Sequence, residues 1–144
     1  MPKSTATCNS IVNLMYRATA WANVADNASS SPLTNTYVSL HTATLSAGTN
    51  SQTENETSYT NYARQAVARS TGWAAASGGA TSNAATISFP QCGASGATLT
   101  YVAVGTALSS TGTVWHYGAL NSSLAVSSGI TPQFAASALT VTEA

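Results

Sequence analysis

The chain has 144 residues, 44% of them hydrophobic, and only four Lys plus Arg against four Asp plus Glu, a charged fraction of 6% where ~25% is usual. That length buries a core without help from metal or disulfide, and three Trp, six Tyr and two Phe argue against disorder. Near-zero net charge excludes the basic patch a nucleic-acid binder needs and a polybasic membrane-surface segment, and it favours association between molecules.

In chain order, "MPKSTATCNS" carries one Lys but no following apolar run, so it does not read as a secretory signal. Residues 1–8 are expected to be an arm, and 9–144 one domain. From Asn9 onward, Ile11, Leu14, Met15 and Ala18 recur at helical steps, predicting a helix over 9–21 capped by Asn9 or Ser10 and closed by Trp21. "NVADNASSSPLTN" is loop. "TYVSLHTAT" (36–44) alternates as a strand, and "SAGTNSQTENETS" is an exposed polar loop holding Glu54 and Glu56. "YARQAVARS" (62–70) alternates again. A turn centred on Gly79 precedes a strand with Ala85, Ile87 and Phe89 on one face. "ATLTYVAVGTA" (97–107) is β-branched and aromatic, so a central strand, joined by "SSTG" to "TVWHYGAL" as a hairpin. Two or three short strands finish the chain. One helix and about eight short antiparallel strands predict a mainly β fold, a β-sandwich or jelly-roll.

Chemistry-bearing residues are few. His41 and His116 lie in strand patterns with no third ligand and no Ser-His-Asp order, so satisfied or exposed imidazoles are expected and no catalytic residue, metal site or cofactor is assigned. Cys8 and Cys92 read as buried thiols in a chain made in a cytoplasm, with one disulfide as the alternative. No stretch approaches a bilayer span. In "YARQAVARS", Tyr62 and Arg64 share one face and Arg69 the other, and neither face is apolar. That pattern suits an edge strand whose arginines either meet a partner or block stray pairing. Pro2, Lys3 and Thr5 of the arm join Tyr62, Arg64 and Arg69 as interface candidates.

The series "YVSLHTA", "YARQAVARS", "ATISFP", "VAVGTA", "VWHYGAL" and "SLAVSSGITPQFAASALTVTE", preceded by a helix like "IVNLMYRATAW", resembles a family of small tailed-bacteriophage structural proteins commonly labelled tail fibre proteins. The resemblance implies a non-enzymatic virion component with a β-rich fold, made in the host cytoplasm and partnered by virion proteins and by copies of itself. Two placements follow. One is a capsid decoration or cement protein on the major capsid protein, favoured because heptads and repeats expected of a long fibre are missing. The other is a tail or fibre subunit, with host glycan binding if two of Trp21, Trp73 and Trp115 prove exposed side by side.

Overall fold

The computed structural model describes residues 3–21, 25, 32–46 and 51–143. It is mainly β, of the sandwich-like class that the strand spacing predicts. One helix, α1 (Thr5–Arg17), precedes eight strands: β1 (Asn35–His41), β2 (Gln65–Ala68), β3 (Ala80–Ser82), β4 (Ile87–Ser88), β5 (Ala97–Gly105), β6 (Val114–Val126), β7 (Gln133–Phe134) and β8 (Thr140–Thr142). The chain forms two compact units: Met1–Asn35, Val67–Ile87 and Phe134–Ala144 make the first, Thr36–Ala66 and Ser88–Gln133 the second.

In the first unit, α1 begins four residues before the point the apolar spacing suggests. Ser4 is its N-cap, its hydroxyl accepting from the Thr7 amide at 3.2 Å, so Thr5–Cys8 are helix and not arm. The helix ends at Arg17, with Ala18 in the left-handed region at φ 54°. Its buried stripe is Cys8, Val12 and Tyr16, one residue every four, and not the Ile11, Leu14, Met15 and Ala18 face. Tyr16 meets buried Trp73 edge-on at 4.7 Å between ring centroids. Asn9, expected as a cap, instead uses Oδ1 to accept from the Gly79 amide at 2.6 Å, and Asn13 Oδ1 accepts from the Ala76 amide at 3.0 Å. Fully buried Asn83 ties the C-terminal segment: its Nδ2 donates to the carbonyls of Ala85 and Ala135, and its Oδ1 accepts from the Leu139 amide. Strand β3 pairs antiparallel with β8.

The main sheet has the order β2-β1-β5-β6, and β5 and β6 lie wholly in the second unit. β5 is interior, as its composition predicts. Val38 lies opposite Val104 and Leu40 opposite Val102, and all four are buried. β5 and β6 are antiparallel neighbours around the "SSTG" turn, though β6 runs to Val126, six residues past the predicted strand end. Two irregularities mark this pairing: Trp115 is extra between Val114 and His116, and Leu120–Ser123 bulge opposite Thr100. Ile87 and Phe89 are buried as expected, but Ala85 is exposed. Both cysteines are buried free thiols. Among the described residues no helix is long and apolar enough to cross a membrane.

Candidate functional site

Both arginines of "YARQAVARS" turn inward. Arg64 is 5% exposed and grips Glu56 bidentately, Nε to Oε1 and Nη2 to Oε2, each at 2.7 Å. Its remaining donors reach the carbonyls of Ala107 at 2.9 Å and Ser110 at 2.8 Å. The Glu56 hydrogen bond, opposed by burial, raises the guanidinium pKa above its ordinary value. Tyr62 completes the cluster: its hydroxyl donates to Glu56 Oε1 at 2.8 Å and accepts from the Leu40 amide at 3.1 Å. Burial, with Glu56 beside it, pushes the Tyr62 phenol upward. The cluster therefore joins the polar loop before β2, the strand β1 and the turn between β5 and β6.

Arg69 is 7% exposed and serves α1. Its Nε and Nη2 donate to the carbonyls of Met15 and Leu14 in the last turn, and its Nη1 to Leu33 at 2.7 Å. These are the carbonyls a helix leaves without intrahelical partners, and a cation suits the negative end of the dipole. Burial lowers the Arg69 pKa.

Arg64, Arg69 and the Tyr62 hydroxyl, expected as interface groups, are engaged by partners inside the chain. Lys3 is exposed and pairs with Glu143, and Thr5 is exposed in the first turn of α1. Pro2 lies outside the described residues, as does the loop acid Asp26. Glu56, read as a solvated loop acid, is the ion-pair partner that sequence reasoning missed. Nothing local signals it, because the pair closes only when the loop folds back onto β2.

A second buried network sits on the face of β1 carrying Ser39 and His41. Ser39, His41 and Gln52 are each 0% exposed. Ser39 Oγ lies 2.9 Å from His41 Nε2, and His41 Nδ1 lies 2.8 Å from the Glu54 carbonyl oxygen. Gln52 Nε2 donates to the Tyr37 carbonyl at 3.1 Å while its Oε1 accepts from the Ala107 amide at 3.1 Å. Gly105 leaves room for this: a Cβ there would stand 2.4 Å from Gln52 Cδ. A hydroxyl beside an imidazole is the geometry of a nucleophile and its base. Here both are sealed from solvent, so the pair anchors the segment 52–54 onto β1 and offers nothing to a substrate. Burial lowers the His41 pKa from its ordinary 6.5, keeping the ring neutral near pH 7.

The surface tells a different story. Each ionic side chain among the described residues has a partner within the chain, and from Ser70 through Thr142 there is no Asp, Glu, Lys or Arg. Among the described residues no three His, Cys, Asp or Glu cluster to hold a metal. Trp73 is buried, and Trp21 and Trp115 are half-buried. The exposed large apolar side chains of the second unit are Leu108, Tyr117, Leu124 and Ile130, all on β6 or the turns flanking it.

No curated protein matches this chain. The family of the Podophage GP4 fiber I protein gp80, by contrast, matches residues 2–142, nearly the full length, and the chain belongs to that family.

Proposed function

We propose that this protein is a non-enzymatic structural subunit of a tailed-phage virion, and that it is built into a fibre. The observation that carries this reading is the family match over residues 2–142, whose description names a fiber protein. The physical character of the surface supports it. Among the described residues each ionic side chain is partnered within the chain, the Ser39–His41 pair is sealed, and the surface is built largely of hydroxyl, amide and apolar groups. Such a surface packs against identical neighbours without charge repulsion.

Capsid decoration, the placement favoured by the missing heptads, has weaker support. Heptads are required of a coiled-coil shaft and not of a small β subunit. The arm expected over residues 1–8 is shortened, because Thr5–Cys8 are helix and Cys8 is buried. Gold-labelled antibody against the chain, imaged on intact particles, tests the placement. Label confined to the tail end is the expected result; label spread over the head overturns the fibre reading in favour of decoration.

A further inference from the structure

We propose that Ser39 and Gln52 of this chain join through a side-chain ester, formed once with loss of ammonia and with His41 as the base. All three residues are fully buried and belong to the second unit. No diffusing substrate reaches the Ser39–His41 pair, so an electrophile for it has to come from the chain itself. The Gln52 carboxamide is the one at hand. Its Nε2 lies 3.5 Å from Ser39 Oγ, and the carbonyl carbon is one bond from that nitrogen.

The hydrogen bonds settle which atoms carry protons. His41 Nδ1 faces the Glu54 carbonyl at 2.8 Å, and a carbonyl only accepts, so Nδ1 holds the ring proton and Nε2 is bare. Ser39 Oγ therefore donates to Nε2 at 2.9 Å; its other acceptor, the Ala103 carbonyl, is farther away at 3.5 Å. Burial keeps the ring neutral near pH 7, the form that takes up a proton. The Glu54 carbonyl fills the orienting role that a carboxylate has in a hydrolytic triad.

The carboxamide is held as firmly. The Tyr37 carbonyl only accepts and the Ala107 amide only donates, so the nitrogen faces the first and the oxygen the second, each at 3.1 Å. The Ala107 amide thus stands where negative charge collects on Oε1 as a hydroxyl adds to the carbonyl carbon, the place of an oxyanion donor. Two glycines make the room: a Cβ would stand 2.4 Å from Gln52 Cδ at Gly105 and 2.5 Å from Oε1 at Gly112. Anchoring of the segment 52–54 needs only the backbone contacts; nucleophile, base and oxyanion donor converging on one carboxamide is the arrangement of acyl transfer.

In the step, Ser39 Oγ bonds to Gln52 Cδ while His41 Nε2 takes the hydroxyl proton. The Cδ–Nε2 bond then breaks, the proton passes from His41 to the departing nitrogen, and ammonia leaves. One O–H and one C–N bond are exchanged for one C–O and one N–H, with no oxidant, reductant or water consumed. Ammonia is diluted into solvent and the ester stays in a site closed to water, so neither aminolysis nor hydrolysis reverses the step. The product staples β1 to the segment packed on it, the constraint a disulfide would otherwise supply in a chain whose two cysteines are free. The inference stands on this network and not on the fibre reading.

Intact-mass spectrometry of the folded full chain is the test. The wild type is expected below its sequence mass by one ammonia, with peptic fragments carrying Ser39 and Gln52 joined until hydroxylamine parts them. Ser39→Ala removes the nucleophile and His41→Gln the base, and both should keep the full sequence mass. A deficit retained in Ser39→Ala belongs to an asparagine succinimide and overturns the ester. An ester formed in His41→Gln as fast as in the wild type overturns the role of His41. Wild type at full sequence mass overturns the whole proposal, and that reading needs no variant to fold.

Discussion

Arg64 and Arg69 are buried for opposite electrostatic reasons. Arg64 faces a carboxylate that holds its charge, and its pKa rises; Arg69 faces backbone carbonyls, where desolvation dominates and its pKa falls. Removing one member of a buried pair costs more than the pair contributes, because the survivor is left desolvated. Arg64→Ala, which strands Glu56 beside the Tyr62 hydroxyl, should lower stability by about 3 kcal/mol, read from the urea midpoint at constant slope. An unchanged midpoint would mean that Glu56 swings out to water. The sequence expectation set both arginines inside one strand over 62–70 and turned them outward; the strand spans only Gln65–Ala68, and the two arginines flank it and turn inward. Their partners explain why. Glu56 sits in a polar loop eight residues earlier, and the α1 carbonyls lie more than fifty residues away, and neither leaves a trace in the alternation pattern.

Elements were legible where packing and propensity agree. β1 and β5 are dense in β-branched and aromatic residues, and "SSTG" marks the turn, so these strands and their hairpin partner β6 follow from the pattern. β6 ran longer than its composition suggests because Asn121, Ser122 and Ser123 are poor strand formers, accommodated as a bulge. The stripe of α1 was misread because Cys8 and Tyr16 are ambiguous on any hydrophobicity scale, and their burial is decided by Trp73 and the Gly79 turn, whose hypothetical Cβ would touch Cys8 Cβ at 3.0 Å. Arg69 gives this element a local test. Arg69→Ala leaves the carbonyls of Leu14, Met15 and Leu33 without their guanidinium donor, at a cost of about 2 kcal/mol. Native-state hydrogen exchange should then show faster exchange in the last turn of α1 with β5 amides unaffected. Uniform acceleration across both would assign Arg69 to global stability and not to the helix end.

At the scale of the molecule, the sparse charge was the most informative signal in the sequence. It favours association, and among the described residues the few ionic side chains are partnered within the chain. β6 was predicted as a strand but not as the last strand of the sheet order, because an edge is defined by which strands pair. Contacts between such chains are apolar and hydrogen-bonded, and salt screens neither. The most direct measurement is sedimentation equilibrium of the wild-type chain in sodium chloride from about 0.01 M to about 1 M, across which the Debye length falls from ~30 Å to ~3 Å. The dissociation constant for self-association should change by less than about twofold. Weakening by about tenfold or more at high salt would place charged groups in the contact and contradict the account.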